Sequence, residues 1–136
     1  QKLHQCCKPD GAVILQAICI PDQLYDQYKV STDWIKKHIF PGGHLPSLHT
    51  LLELNKKYAD FNLTHCFNIA GHYAKTLKCW HENVLDQVEE IKQEGFDDPF
   101  LNKWRYYLSY CEAAFKTRYL MTYQMVWSRP CNPKIS

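Results

Sequence analysis

Apolar and polar positions change rhythm several times along the chain, and each change marks an element. AVILQAICI, residues 12–20, is nearly continuously apolar, rich in β-branched residues, and bounded by Gly11 and Pro21. This pattern predicts a strand covered on both faces, as in a parallel α/β sheet; a buried helix would be longer. FNLTHCFNI, residues 61–69, alternates, with Phe61, Leu63, His65, Phe67 and Ile69 on one side, which is strand periodicity. TYQMVWS, residues 122–128, sets Tyr123, Met125 and Trp127 against Gln124 and Val126 and reads as a final strand.

Between these runs the period lengthens. Over residues 21–40, Leu24, Tyr28, Trp34, Ile35 and Ile39 recur at roughly helical spacing, divisible into two pieces, with Ser31-Thr32-Asp33 as a cap for the second. FPGGHLPS, residues 40–47, interrupts regular structure and specifies a loop of defined shape. A helix is predicted from about Pro46 to Tyr58, with Pro46 in its first turn and Leu48, Leu51, Leu52 and Asn55 on one face. From Tyr73 to about Glu94, Leu77, Trp80, Val84, Leu85, Val88 and Ile91 form one stripe, closed by Gly95. Asp98-Pro99 opens another helix, Asp98 as N-cap, whose buried face is Phe100, Trp104, Tyr107, Leu108, Cys111 and Phe115. Strands separated by helical segments make the chain α/β.

Composition bounds the function. The 136 residues suffice for one domain with a modest core. A net charge of +2 and no basic run longer than Lys-Lys argue against nucleic acid. Seven scattered cysteines form no disulfide framework, so reduced thiols in a cytoplasmic chain are expected. Zinc at Cys79 and His81, or at His65 and Cys66, is disfavoured because neither pair has ligand spacing. No signal peptide or transmembrane run is apparent. The chain opens at Gln1 with what reads as the end of a helix, and a fragment of a longer product is expected.

KPDGAVILQAICIPD, DWIKKHIFPGGHLPS, GHYAKTLKCW, GFDDPFLNKWRYYLSYCEAAF and YQMVWSRP occur in this order. Together they resemble the C-terminal part of the cyclopropane-fatty-acyl-phospholipid synthases, S-adenosylmethionine-dependent methyltransferases related to the mycolic acid cyclopropane synthases. IFPGGxLPS and HYxxTLxxW are the specific stretches, and the resemblance covers nearly the whole chain. It implies a class I (Rossmann-like) methyltransferase sheet. Residues 1–136 would be the C-terminal part of one such domain, supplying its last three strands, 12–20, 61–69 and about 119–128. The cofactor-binding half, with its glycine-rich loop, would lie outside this chain, so the fragment alone is expected to be inactive.

The resemblance also implies a chemistry. A methyl cation passes from the sulfonium to a cis double bond of a phospholipid acyl chain at a membrane surface. A bound bicarbonate is the base that lets the ring close. Such an anion needs hydrogen-bond donors and exclusion of water. Tyr73 matches the family tyrosine that holds it, Ile18 would donate its backbone N–H, and Gln16 stands where some members carry His. Gln donates a hydrogen bond but takes up no proton at neutral pH. Cys111 matches a cysteine described as active in the family, although its place on the apolar stripe reads as core. Phe40, His72 and Tyr107 would line the acyl-chain pocket, with Trp80 and Tyr107 also readable as core. The enzyme is expected to be cytoplasmic and peripheral to the membrane. Two alternatives stand beside it: an inactive relative that binds lipid or a partner, and a fatty-acyl C-methyltransferase that does not close the ring.

Overall fold

The computed structural model describes residues 1–134. In chain order these form α1 (Lys2–Cys6), β1 (Ala12–Cys19), α2 (Asp22–Val30), α3 (Trp34–His38), α4 (Leu48–Tyr58), β2 (Asn62–Asn68), α5 (Ala70–Asp86), α6 (Val88–Gln93), α7 (Asp98–Lys116) and β3 (Met121–Ser128). They divide into two compact units, one of residues 1–31, 44–69 and 121 onward, the other of residues 32–43 and 70–120.

The first unit holds the sheet, in the order β1-β3-β2. β3 is antiparallel to both neighbours. The expected parallel pairing of β1 is therefore corrected: β1 and β2 run the same way, but each pairs with the reversed strand between them. One face carries Val13, Leu15, Ala17, Leu63, Tyr123, Met125 and Trp127, packed with Leu48 and Leu51 of α4 and with Phe61. Met125 is fully buried, a contribution of about 1.5–3 kcal/mol for a side chain of this size. The other face is not covered as the continuous apolar run predicted. Ile14 is 78% exposed and Phe67 49%, and Gln16, His65 and Gln124 are exposed beside them.

β2 also departs from simple alternation. Leu63 faces Trp127 and His65 faces Val126, which leaves Thr64 as an extra residue, its hydroxyl donating to the Val126 carbonyl (3.1 Å). One inserted residue exchanges the faces of everything after it. His65 and Phe67 thus lie on the face opposite Leu63, their rings stacked with centroids 6.5 Å apart.

In the second unit α5 packs on α7. Ala70, Ala74 and Leu77 of α5 and Leu101, Leu108, Cys111, Ala114 and Phe115 of α7 are buried. The small residues at 70 and 74 allow close approach of the helix axes. They also start α5 three residues before the expected Tyr73 and set its phase. Trp80 and Leu85 then fall on the flanks of the stripe, 49% and 43% exposed. The helix breaks at Gln87 before α6. Gly95 follows at φ +92°, with Phe96 N–H donating to Ile91 O (3.3 Å), a Schellman closure. Asp97, not Asp98, caps α7, its carboxylate accepting from Phe100 N–H at 2.9 Å. Asp98 is thereby freed to pair with Lys92 at 2.8 Å.

Residues 40–43 close a tight turn. Gly43 N–H donates to Phe40 O (2.9 Å), with Pro41 at the second position and Gly42 at φ +78° in the third, a type II turn. A Cβ on Gly43 would lie 2.9 Å from Phe40 O. The two α-helical starts nearby are capped by side chains: Asp33 accepts from Lys36 N–H (2.8 Å) and Ser47 from Thr50 N–H (3.2 Å). Pro46 therefore precedes α4 and is not in its first turn.

Candidate functional site

The carboxyl end of β1 is organised by its ladder with β3. Gln16 faces Gln124 and Ile18 faces Thr122. Thr122 turns its carbonyl toward β2, where it accepts from Ile69 N–H (2.8 Å). The N–H and C=O of one strand residue point the same way, so Ile18 and Thr122 form a pair without mutual backbone hydrogen bonds. Two consequences follow. Their side chains lie close together on one face, and the Ile18 N–H is directed away from β3, toward the outer edge of β1. Ile20 has the same parity and shows this directly. Its N–H donates to Pro46 O (3.0 Å), and it bridges Ser47 on that outer side. The segment that leaves the FPGG turn therefore runs along the edge where Ile18 presents its donor.

Polar side chains on the same face add to this arrangement. Gln124 Nε2 donates to Gln16 Oε1 (2.9 Å), which engages the Gln16 carbonyl and leaves its NH2 to donate elsewhere. Thr122 is wholly buried, and its Oγ1 has no hydrogen-bond partner. The outward Ile18 N–H and the Gln16 amide give this strand end two donors, and the Asp22 carboxylate nearby is engaged by the His49 N–H (2.9 Å). Such a set suits a small anion.

The second unit holds the remaining candidates. Tyr73, in the first turns of α5, is half-buried and rests on Phe115 of α7, ring centroids 5.0 Å apart. His72 is exposed; its carbonyl accepts from the Thr76 hydroxyl (3.1 Å). Phe40 is 53% exposed and meets Tyr107 edge-on at 6.0 Å, while Tyr107 also contacts Trp104 at 5.1 Å. Burial pushes the Tyr107 phenol up to about 12, with Cys111 and Tyr73 nearby adding to the effect. Cys111 is buried. Burial and then the Asp33 carboxylate raise its thiol to about 11, only partly offset by a hydrogen bond with Tyr107. A thiol so raised is protonated at neutral pH, the opposite of an activated nucleophile.

Other groups fall outside this set. Among the described residues no three His, Cys, Asp or Glu side chains gather as a metal site; His81 instead meets Ser109 (3.3 Å), and Cys79 is exposed. An apolar cavity of about 210 Å³ is lined by Leu3, Val13, Leu15, Leu51, Phe61 and Trp127, among others, at the opposite end of the sheet from Ile18. Sequence reasoning missed Arg129, which donates to Asp60 Oδ1 (3.0 Å), His4 O (2.7 Å) and Cys7 O (3.0 Å).

Comparison with known proteins decides the lineage. The family model described as mycolic acid cyclopropane synthetase matches residues 1–125. The chain belongs to the mycolic acid cyclopropane synthetase family. Within and around this family, it is 34% identical over 131 residues to the tuberculostearic acid methyltransferase UfaA1 of Mycobacterium tuberculosis, covering 96% of this chain and 31% of that protein. It is 33% identical over 123 residues to the cyclopropane-fatty-acyl-phospholipid synthase of Escherichia coli K12, covering 90% and 30%. The chain thus spans about a third of the length of these curated relatives. Its fold matches the cyclopropane synthase MmaA2 of M. tuberculosis with a TM-score of 0.79 at 24% identity, covering 93% of this chain and 47% of that one. It also matches the mycolic acid cyclopropane synthase CmaA1 complexed with SAH and CTAB, with a TM-score of 0.74 at 22% identity over 88% and 44%. The cyclopropane synthase lineage and the α/β methyltransferase fold expected from the sequence are both shown.

Proposed function

We propose that the whole protein carrying this chain is an S-adenosylmethionine-dependent methyltransferase acting on cis double bonds of phospholipid acyl chains, with closure of a cyclopropane ring. Membership of the cyclopropane synthetase family supports the reaction class. The observation that carries the site is the donor set at the end of β1: the outward Ile18 N–H and the free amide of Gln16, where the family resemblance expects an anion.

When bound, S-adenosylmethionine supplies the methyl cation and bicarbonate the base that removes a proton before ring closure. This chain's residues fit the anion better than the cofactor. Ile18 and Gln16 donate hydrogen bonds and neither titrates near neutrality. Tyr73 keeps the role the resemblance gives it, a phenolic donor to the anion, with its ring held by Phe115. Neither helical crossover opens on a glycine-rich turn, since β1 leads through Pro21 into α2 and β2 through Ile69 into α5. The family resemblance assigns most of the cofactor site to the other half of the domain, and we keep that assignment.

Around the acyl chain, Phe40 and Tyr107 offer apolar ring surface, and His72, exposed in the first turn of α5, keeps the substrate contact that the resemblance implies. Cys111 takes a packing role, its raised thiol remaining protonated. No helix among the described residues is long and apolar enough to cross a membrane, and we place the protein in the cytoplasm, reaching its lipid from the membrane surface.

A second reading is methylation without ring closure. It is favoured by the similarity to a protein named a methyltransferase and by Gln16, which offers no proton acceptor of its own. Expression of the full-length protein in cells rich in unsaturated phospholipid, followed by lipid mass spectrometry, tests both. One added CH2 that resists hydrogenation is expected. One added CH2 on a chain that still takes up hydrogen, or that is branched, selects the second reading; unchanged lipids refute both.

A further inference from the structure

We propose that residues 34–41, with Lys103 and Tyr106 of α7, form the surface by which this protein meets an anionic phospholipid membrane. The inference rests on the reading of phospholipid as substrate and deepens it by naming the surface that reaches the lipid.

The segment lies wholly within the second unit. Its rings are seated on α7: Trp34 meets Tyr106 edge-on at 4.5 Å, His38 lies 5.2 Å from Trp34, and Phe40 rests against Tyr107. Seating does not bury them. Phe40 is 53% and Tyr106 50% exposed, and Lys37, His38 and Pro41 are exposed beside them. The type II turn fixes Phe40 and Pro41 at its corner, so this apolar tip has little loop ordering left to lose on docking. Positive charge surrounds it. Lys36, Lys37 and His38 form the last turn of α3. Lys103 lies one helical turn before Tyr106 and Tyr107, on their side of α7. The carboxylates within residues 32–43 and 100–120 are those of Asp33 and Glu112. Both are engaged, Asp33 as the cap of α3 and Glu112 with Lys116. Residues 81–99 of the same unit are the reverse, with Glu89, Glu90 and Glu94 around Lys92. Basic charge and exposed rings thus coincide on this segment. The same surface of a second copy would bring like charge against it. An anionic headgroup layer instead attracts the lysines and seats amphipathic rings at its boundary. Phe40, which we place against the acyl chain, belongs to this surface, so lipid would enter the site from the point of attachment.

The test is cosedimentation of the full-length protein with vesicles of saturated phosphatidylcholine, with and without about one third phosphatidylglycerol. Saturated chains keep turnover out of the measurement. Wild type should bind the anionic vesicles more tightly and lose that binding at high salt. Lys37→Glu changes the surface by two charges and should weaken binding to anionic vesicles about thirtyfold, a factor of about five for each charge. Phe40→Ser should weaken it about tenfold through lost apolar burial. Lys78→Glu makes the same charge change at an exposed site on α5 and should stay within about threefold of wild type. If Lys78→Glu weakens binding as much as Lys37→Glu, net charge governs attachment and the proposal is wrong. Absence of wild-type binding to either vesicle also overturns it. If wild type binds and both Lys37→Glu and Phe40→Ser match it, another surface holds the membrane, and the proposal fails while the reading of phospholipid as substrate stands. That reading fails instead if the expression test leaves the lipids unchanged, a result read independently of vesicle binding.

Discussion

Replacing Arg129 by alanine removes a clasp between three parts of the first unit. The guanidinium is only 20% exposed in its side chain. It donates to the carbonyls of His4 and Cys7 at the end of α1, pairs with Asp60 before β2, and lies over the Phe61 ring at 5.4 Å. The two carbonyl bonds contribute about 1.5 kcal/mol each, as hydrogen bonds from a charged donor. Asp60 is 55% exposed, so the ion pair is screened and adds less than about 1 kcal/mol. The ring contact adds about 0.5 kcal/mol. Arg129→Ala should therefore destabilise the domain by about 4 kcal/mol, read as the shift in urea unfolding followed by tryptophan fluorescence in the full-length protein. Arg129→Lys should recover less than half, because an ammonium lacks the fork that reaches both carbonyls. Most of the loss should persist at about 1 M salt, where exposed ion pairs are screened out. A loss below about 1 kcal/mol, or one abolished by salt, would refute the clasp.

Four further outcomes are expected. Cys111 should be alkylated far more slowly at pH 8 than the exposed Cys79; equal rates by peptide mass spectrometry would contradict its protonated, packed state. Its thiol is raised from 9.0 to about 11, so the native state keeps a proton that the unfolded chain releases. Stability from this source is complete below pH 9 and falls as pH rises to about 11, and Cys111→Ala should flatten that decline. Gly43→Ala should disturb the turn at residues 40–43 by at least about 1 kcal/mol, since the new methyl meets Phe40 O; an unchanged thermal midpoint would sink the argument. The 136-residue chain made alone should self-associate through the outer edge of β1 and the exposed Ile14. Ile14→Lys should shift it toward monomer in sedimentation, and a wild-type monomer with a sharp melting transition would overturn that expectation.

Where the sequence was legible, one period or one residue type carried the information. The three strands were readable because β1 is β-branched and apolar while β3 alternates cleanly. Asp33 and Gly95 announced their helix ends through short-range chemistry that no tertiary contact altered. The errors have equally local causes. Nothing in FNLTHCFNI marks Thr64 as an inserted residue, because the bulge is set by pairing with Val126. Asp97 and Asp98 are both competent caps, and the Lys92 pair with Asp98 accompanies the choice of Asp97. Trp80 looked like core by hydropathy, but the buried alanines at 70 and 74 turned the stripe away from it. At the candidate site, Gln16, Ile18 and Tyr73 came from family resemblance, since a tyrosine at a helix start or a glutamine in a strand carries no signal alone. The outward direction of the Ile18 N–H became visible through the Thr122–Ile69 and Ile20–Pro46 hydrogen bonds. Arg129 makes contacts across more than a hundred residues of sequence, beyond the reach of any local pattern.

An anion cradled by donors from this chain is central to the proposed reaction, and removal of the Tyr73 hydroxyl probes it directly. Tyr73→Phe keeps the ring on Phe115 and should leave the thermal midpoint of the full-length protein unchanged. Methyl transfer from labelled S-adenosylmethionine to cis-unsaturated phospholipid should fall by about a hundredfold, the scale of losing one placed donor. A rate within about threefold of wild type, with bicarbonate dependence intact, would contradict the account.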